Sequence, residues 1–412
     1  MTPSIETRAS WVTASLSLVI LGVSFGAPWI SVVALKPIAA EMGGARSVPA
    51  LATALAWFGS GIGGIGMGYL ADRYGVRWTV TFGTVMIGLG LVISSYGQSW
   101  LGPTWALYIG HGLFMGLLGN SGLNAPLYVY VSRWFDRRRG SALALIASGQ
   151  YISGAIWPSI FEISIANYGW RQTMLMFAVV MVVIVVPIAL IVLKPPPEVI
   201  APPVATTQAA RPTVLGWPPN LVFAIMSLAA FCCCIPMSMP QSHLVALCSD
   251  LGITPTHGAA MLSLLLATAF FSRQMWGWIS DRIGGLTTVL TGSLWQFLSI
   301  IAIIKTQDEI GLFAVTAIFG LGFSGIIPAY VLAVRELFPA HEAGWRVPIL
   351  LCLTAFGMAS GGWFAGLLYD HFGYYAPAFA AGLIFNVVNL LLIGTLVVRR
   401  GGWFGGARVA TA

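Results

Sequence analysis

Arg273 is the residue of this sequence whose position most needs a chemical explanation. It follows the uncharged run 259–272, and charge returns only at Asp281 and Arg282. At about 1.5 Å of rise per helical residue, the arginine lies roughly 12 Å inside that charged boundary. A cation at that depth in an apolar segment needs an anionic partner or a water-filled cavity. Arg273 therefore completes a structural ion pair or binds an anion. A carboxylate fits well, because its two oxygens match two parallel guanidinium N–H donors.

A second candidate is a polar stripe formed by Asn120, Asn124 and Tyr128, which recur four residues apart in an apolar segment. In a helix this spacing places all three on one face. Amide and phenol groups there can bind a hydroxyl or carbonyl beside a carboxylate. They can equally hydrogen-bond a neighbouring helix, an interaction worth about 0.6–2 kcal/mol in membranes. We expect the two asparagines to face a binding cavity.

Histidines and aromatic residues add weaker candidates. His243 lies late in a predicted helix beside a proline, where an imidazole can titrate and carry a proton or can simply pack with its hydrogen bonds made. His111 lies early in another predicted helix and is the weaker of the two. Phe25, Trp29 and Phe356 can form the apolar wall around a short acid, although helical aromatic residues more often only pack.

Composition requires that these residues be positioned by membrane-spanning helices. The 412 residues are 58% hydrophobic and 8% charged, more apolar than a soluble domain can bury. At ~30–35 residues for one span and its loop, the length allows about twelve helices. The fold class is therefore all-α and integral to the membrane. Apolar runs predict spans near residues 11–40, 49–71, 77–97, 103–132, 140–166, 170–193, 217–248, 256–280, 286–304, 309–337, 343–369 and 374–398.

The spans fall into two sets of six around a proline-rich segment at 195–216. Proline lacks a backbone donor and favours an extended chain, so this segment is predicted to be a cytoplasmic linker. We therefore predict an N-terminal six-helix bundle over 1–194 and a C-terminal bundle with a short cytoplasmic tail over 217–412.

The charge distribution predicts the orientation in the membrane. The net charge is +7, and most of the 20 Lys and Arg residues fall in one set of predicted loops and tails. This asymmetry indicates a multi-pass protein of the plasma membrane (a bacterial inner membrane) with both termini in the cytoplasm, and it disfavours a nucleic-acid partner. The five cysteines have no metal-site or disulfide spacing and are expected to pack, so we predict no cofactor and no metal.

The two halves repeat in sequence. GYLADRYG at 68–75 returns as GWISDRIG at 277–284, and PLYVYVSR at 126–133 returns as PAYVLAVR at 328–335. The second repeat makes Tyr330 the counterpart of Tyr128. Like Tyr128, it can line a binding cavity or pack against a neighbouring helix. Both copies lie on the same predicted side of the membrane, so the repeats are parallel, an arrangement found in transporters that bind substrate between two bundles.

These motifs resemble known families. GYLADRYGVR at 68–77 is similar to the signature loop of the major facilitator superfamily, which implies two pseudo-symmetric six-helix bundles. RWFDRRRGSALALIASGQ at 133–150, NYGWRQTMLM at 167–176, QSHLVALCSDLGI at 241–253 and the eighth-span Arg273 look like the monocarboxylate transporters and their bacterial relatives. Oxalate–formate exchangers share parts of this pattern. The resemblance implies transport of small monocarboxylates such as lactate or pyruvate, often with a proton.

Two departures from that family pattern concern proton coupling. Relatives often carry an aspartate one helical turn before the eighth-span arginine, where this chain has Ala269. They often carry a lysine after a first-span proline, where this chain has Trp29. No Asp or Glu lies clearly at mid-membrane, and Glu162 is predicted near the outer end of the fifth span. This scarcity of acids favours an anionic substrate.

The repeated loop motifs suit gating. Carboxylate–guanidinium pairs at neighbouring cytoplasmic helix ends can form and break as two bundles rock, and the superfamily uses this loop as a conformational latch. We assign this role to Asp72, Arg73, Arg77 and Arg133 and to their copies Asp281, Arg282 and Arg335.

The sequence thus predicts a monomeric secondary carrier of a small monocarboxylate anion, working by alternating access among membrane lipids and coupled to a proton. It contains no phosphate-binding loop, H-E-x-x-H or G-x-S-x-G motif that would indicate an enzyme. Three alternatives stay open: an organic-anion exchanger of the oxalate–formate type, a multidrug exporter, and a membrane sensor that binds its ligand without moving it.

Overall fold

The computed structural model of the chain describes residues 6–135, 138–195 and 213–401. The chain divides into two compact units, Met1–Val204 and Ala205–Ala412. Most of the predicted linker (196–212) and the tail from residue 402 onward lie outside the described residues.

Unit 1 is built from helices that follow the six N-terminal predicted spans closely. Its first span is in three pieces, its fourth contains a π-helical segment, and its fifth and sixth form one long broken helix. The helices are α1 (Arg8–Ser24), α2 (Ala27–Val33), α3 (Leu35–Glu41), α4 (Ser47–Tyr74), α5 (Val76–Tyr96), α6 (Gln98–Leu101), α7 (Pro103–Tyr108), the π-helix (Ile109–Asn120), α8 (Ser121–Ser132), α9 (Arg139–Ala147) and α10 (Gly149–Val192).

Unit 2 follows the C-terminal predicted spans in the same way, with one of its six spans divided near Ser324. The helices are α11 (Pro219–Asp250), α12 (Pro255–Ile283), α13 (Gly285–Lys305), α14 (Glu309–Phe323), α15 (Ile326–Leu337), α16 (Ala340–Phe372) and α17 (Ala376–Arg399). The predicted all-α membrane architecture is confirmed by this arrangement.

The lengths of the observed helices can be compared with the twelve predicted membrane spans. Within the described residues, nine helices are long and apolar enough to cross a membrane, or ten if the bent helix α4 counts as one span. The longest, Ser141–Val192, contains two predicted spans, because Gly169 breaks it with a φ of 78° that other residues rarely adopt. The segment 103–132 is apolar but not one α-helix, because its middle has π-helical hydrogen bonding.

The helix breaks matter because they release backbone polar groups inside an apolar medium. Between α1 and α2, the Gly26 N–H donates to the Val23 carbonyl oxygen at 2.9 Å instead of to that of Gly22. The Trp157 indole donates to the Gly22 carbonyl oxygen at 2.9 Å and so replaces the missing backbone bond. The first span is therefore broken in a defined way, with Phe25 at the break.

Candidate functional site

Arg273 lies roughly ten residues, or about 15 Å, before the end of α12 at Ile283. Its side chain is half-buried, and the preceding turn contributes the fully buried Ala269. α12 carries no Asp or Glu before Asp281. The predicted depth of the guanidinium in its span agrees with this placement.

The backbone around Arg273 is anchored to α14 on both sides. The hydroxyl of Ser272 lies 2.6 Å from that of Ser324 and 3.2 Å from the carbonyl oxygen of Gly320. One turn later, the Trp276 indole donates to the Leu321 carbonyl oxygen at 2.7 Å. These contacts fix the rotation of α12 about its own axis on either side of Arg273. The side chain of Arg273 therefore starts from a well-held stretch of backbone.

The predicted polar stripe starts where the π-helix ends. Asn120 is the last π-helical residue and is buried, whereas Asn124 and Tyr128 on α8 are half-buried. From Asn120 onward the chain is α-helical, so the four-residue spacing keeps the three side chains on one face. Pro126 has no N–H to donate to the Gly122 carbonyl within α8. The stripe therefore adjoins a backbone acceptor that the helix itself leaves unsatisfied.

The three aromatic candidates differ in how deeply they are buried. Phe25 is half-buried at the α1–α2 break, and Trp29 is buried at 8% exposure on α2. Phe356 is half-buried on α16 of unit 2. Phe25 and Trp29 belong to unit 1 together with the polar stripe, whereas Phe356 belongs to the unit that carries Arg273.

His243 differs from its predicted environment. It is fully buried, and both ring nitrogens have partners inside unit 2. Nε2 lies 2.7 Å from the Gly362 carbonyl oxygen and Nδ1 lies 3.0 Å from the Tyr375 hydroxyl. The expectation of a titrating group beside a helix break is replaced by that of a hydrogen-bonded packing residue, because α11 continues through Pro240 to Asp250.

Tyr330 is likewise enclosed within unit 2. It has no exposed surface, and its hydroxyl donates to Asn389 Oδ1 at 2.6 Å. Asn389 contacts Asn386 at 3.4 Å, and Asn386 in turn donates to the Ser293 carbonyl oxygen at 3.2 Å. This network joins α15, α17 and α13. Tyr330 therefore differs from its sequence counterpart Tyr128, whose side chain is only half-buried.

In unit 1 the gating residues form one of the ion pairs that the repeat predicts. Arg133 contacts Asp72 at 2.9 Å, and both side chains are more than half exposed. Arg73 is exposed and lies 5.7 Å from the ring centre of Tyr74. Arg77 is half-buried near the start of α5. The α4–α5 turn is thus tied to the end of α8 by an exposed, reversible contact.

The corresponding residues of unit 2 are arranged differently. Asp281 and Arg335 are both exposed and form no ion pair with each other in the described part of this unit. Arg282 lies 3.4 Å from the Trp278 ring centre and donates to the Trp278 carbonyl oxygen at 3.1 Å. The ion pair of the first repeat thus has no counterpart among these residues in this structure, and their gating role stays a prediction.

Glu336, the residue after Arg335, makes the carboxylate contacts at this end of unit 2. Both Glu336 carboxylate oxygens accept from the Gly285 N–H, at 3.1 and 3.2 Å, and Glu336 pairs with Arg400 at 3.0 Å. The Gly285 N–H begins α13, where the helix dipole favours a negative charge. The sequence signal was available, since Glu336 directly follows Arg335, but the counterpart in the first repeat is the uncharged Trp134.

Arg346 is a further charged residue that the sequence analysis did not single out. It is only 2% exposed and lies near the start of α16, paired with Glu342 at 2.8 Å and donating to Asn220 Oδ1 at 2.9 Å. Phe338 packs on its guanidinium at 4.2 Å from the ring centre. These contacts join the α15–α16 connection to α11, so this arginine is accounted for by packing within unit 2.

Three consecutive cysteines of unit 2 and His111 of unit 1 are also buried. Cys232, Cys233 and Cys234 are buried in α11 without disulfides. His111 contacts Ser31 at 2.6 Å and Ser94 at 3.1 Å, and so links three helices. Among the described residues, no group of three or more His, Cys, Asp or Glu side chains is placed to hold a metal ion.

Comparison with known proteins adds evidence independent of this geometry. A model of the Major Facilitator Superfamily matches residues 15–235 and 226–403. The chain is 27% identical over 286 residues to Monocarboxylate transporter 13 of Bos taurus and 20% identical over 297 residues to MFS transporter asaE of Aspergillus flavus. Each match covers 66% of this chain and 63% of the relative, so the chain spans less than two thirds of these relatives' length.

A solved structure shows the same fold. The inward-facing, occupied crystal structure of a bacterial homologue of the human lysosomal transporter Spinster superposes with a TM-score of 0.66. The superposition covers 98% of both chains at 15% sequence identity. At that identity the likeness concerns the fold alone, and it agrees with the predicted pair of six-helix bundles.

Proposed function

From the premise that this chain belongs to the Major Facilitator Superfamily and is therefore a membrane transporter and not an enzyme, we propose that it carries a small monocarboxylate. The proposed substrates are lactate- or pyruvate-like anions, moved by alternating access. The observation that carries the proposal is the position of Arg273, a half-buried cation deep in the apolar helix α12. The similarity to proteins named monocarboxylate transporters supports the same substrate class.

Arg273 has the chemistry that a carboxylate site needs. A guanidinium stays charged at every relevant pH and offers two parallel donors to the two carboxylate oxygens. In a medium of low dielectric constant, a bound anion lowers the cost of holding that charge. The planar fork of the guanidinium favours a planar anion over a spherical one, and the bonds of Ser272 and Trp276 to Ser324 and Leu321 hold the α12 backbone on either side of Arg273.

The remaining site residues divide by environment. We assign Asn120, Asn124 and Tyr128 to the hydroxyl or carbonyl of a 2-substituted acid, because the three amide and phenol groups share one face of the helix and can bond to such a group. Phe25, Trp29 and Phe356 are assigned to the short apolar tail of the substrate. His243 and Tyr330 are not included, because their polar atoms are already bonded inside unit 2.

Coupling to a proton is part of the proposal, and an exchanger of organic anions is the alternative. Ala269 and Trp29 replace two groups that relatives often use for coupling, and this favours the exchanger. We further propose a monomer in the plasma membrane with both termini in the cytoplasm, on the basis of the asymmetric distribution of Lys and Arg.

The test is uptake of radiolabelled L-lactate into liposomes that contain the purified protein, with and without an inward proton gradient. Arg273→Gln is expected to lose uptake, and Arg273→Lys to keep less than wild type because an ammonium cannot make the two parallel bonds. Lys305→Gln is the control, because Lys305 is an exposed cation at the end of α13. Uptake that survives Arg273→Gln would refute the assignment of the anchor, and exchange only against internal lactate would favour the exchanger.

A further inference from the structure

Glu162 is an acid inside a membrane-spanning helix, and the transport site described above does not use it. It lies in the first part of α10, seven residues before the break at Gly169, which corresponds to about 10 Å along the helix axis. The residue is only 8% exposed. Glu162 is therefore a largely buried acid near the outer end of the predicted fifth span.

The residue before Glu162 belongs to an aromatic cluster. The preceding residue, Phe161, packs with Trp157 at 5.4 Å and with Phe177 at 4.9 Å between ring centres. Ser164, two residues after Glu162, is hydrogen-bonded to Thr173, with 2.9 Å between the two hydroxyl oxygens. Within the described residues Glu162 forms no hydrogen bond and no ion pair.

The charged groups of neighbouring helices are elsewhere. Arg171, on α10 itself, is bound to Glu41, and the Trp170 indole also donates to Glu41 at 3.0 Å. α2 carries no titratable residue. The titratable residues of α1, α5, α9 and the rest of α10 stand at helix ends or three turns away: Arg8, Arg77, Tyr96, Arg139, Tyr151 and Tyr168.

From this placement we propose that Glu162 is the residue that takes up and releases the coupling proton, an inference that rests on the proposed carboxylate transport. A carboxylate buried without a counter-charge is unfavourable, whereas the protonated acid is neutral and tolerated. The step is a transfer from hydronium to one carboxylate oxygen, which forms an O–H bond and leaves water. It reverses when the residue meets water on the other side of the membrane.

Charge balance connects this step to Arg273. The empty carrier holds one guanidinium and one carboxylate, and the loaded carrier holds the guanidinium, the substrate anion and a neutral carboxylic acid. Both forms have the same net charge in the spans, so neither form carries an uncompensated charge through the bilayer. His243 is less suited to carry this proton, because its two ring nitrogens are hydrogen-bonded to Gly362 and Tyr375.

The test separates net transport from exchange in liposomes. Glu162→Gln mimics the protonated acid and cannot release a proton. It is expected to lose accumulation of radiolabelled L-lactate driven by an inward proton gradient and to keep exchange of external for internal L-lactate. Retained exchange also shows that the variant is folded. Glu162→Asp keeps a titratable carboxyl and is expected to keep gradient-driven accumulation. Glu41→Gln, which removes an exposed acid at the same end of unit 1, is the matched control and should behave as wild type.

Failure of the Glu162 assignment can be distinguished from failure of the proposed carboxylate transport. Gradient-driven accumulation in Glu162→Gln would overturn the assignment of Glu162 while carboxylate transport stands. A wild-type protein that exchanges lactate but ignores the gradient would overturn it as well and favour the exchanger. A wild-type protein that neither accumulates nor exchanges lactate would refute the proposed function itself, and with it this inference.

Discussion

The imidazole of His243 accepts a hydrogen bond from the hydroxyl of Tyr375, with 3.0 Å between Nδ1 and the phenol oxygen. The opposite nitrogen, Nε2, lies 2.7 Å from the Gly362 carbonyl oxygen. Because a carbonyl oxygen only accepts, Nε2 carries a proton, and in a neutral imidazole Nδ1 is then the acceptor. The ring joins α11, α16 and the residue that precedes α17.

Removal of the Tyr375 hydroxyl should weaken unit 2 without changing the coupling of transport. Tyr375→Phe leaves the buried Nδ1 without its donor, a loss worth about 1–3 kcal/mol in unfolding free energy. Thermal unfolding in detergent is the measurement, and Tyr374→Phe is the control because Tyr374 is an exposed neighbour. If Tyr375→Phe instead abolished gradient-driven uptake at unchanged stability, His243 would have to be returned to the list of proton carriers.

Tyr330 and Tyr128 should respond oppositely to the loss of a hydroxyl, although the sequence repeat equates them. Tyr330→Phe removes the 2.6 Å bond to Asn389 and is expected to lower stability by about 0.6–2 kcal/mol with an unchanged KM for lactate. Tyr128→Phe is expected to raise the KM, since the hydroxyl of the half-buried Tyr128 belongs to the proposed substrate site. Both variants need uptake kinetics and a melting curve, and equal effects on KM would contradict the distinction.

The span map could be predicted from the sequence because apolar runs and charged loops report the membrane directly. The twelve predicted segments correspond to the observed helices, including the break near residue 169. The π-helix at Ile109–Asn120 could not be predicted, because apolar runs do not distinguish π from α hydrogen bonding. The first span divides just before Pro28, which has no N–H to donate to the Ser24 carbonyl and is readable in the sequence. The bond from the Trp157 indole to Gly22 joins residues distant in sequence and could not be predicted.

The site was predicted less completely because residue type does not reveal which partner a polar group has. Arg273 could be singled out from its depth alone. Tyr330 and His243 look equally suited to a ligand, but Asn389 and Tyr375, more than 50 positions away, occupy their polar atoms. Conversely, Glu162 looked like an ordinary helix-end acid until its burial was known.

The α4–α5 turn of unit 1 and the α12–α13 turn of unit 2 should depend on different acids for their stability. In unit 2, Glu336→Gln removes the charge that faces Arg400 and the Gly285 N–H, and we expect a loss of roughly 1–2 kcal/mol in unfolding free energy. Asp281→Asn should change stability little, because its side chain is exposed. Melting curves of the two variants test this, and a larger loss for Asp281→Asn would show that the repeat motif, and not Glu336, carries the contact.

Gly63 and Gly64, adjacent residues of α4, should differ sharply in their tolerance of an added methyl group. A methyl group at Gly63 would collide with the Leu117 carbonyl oxygen and lie 2.8 Å from the Ser121 hydroxyl, whereas one at Gly64 would meet nothing within 4 Å. Helices packed through a backbone contact cannot separate locally, so we expect Gly63→Ala to destabilise unit 1 by about 1–3 kcal/mol. Gly64→Ala should be neutral or stabilise by up to about 1 kcal/mol, because alanine favours a helix over glycine.

Thermal unfolding of the two purified variants, together with L-lactate exchange, decides this contrast. Gly63→Ala should melt earlier than wild type and Gly64→Ala should not, since the two variants add the same methyl group to neighbouring positions of one helix. Equal loss in both would mean that α4 needs flexible glycines, because only conformational freedom is common to the two sites. Loss of exchange in Gly64→Ala at full stability would instead indicate that the open face of α4 at this position closes against another surface during the transport cycle.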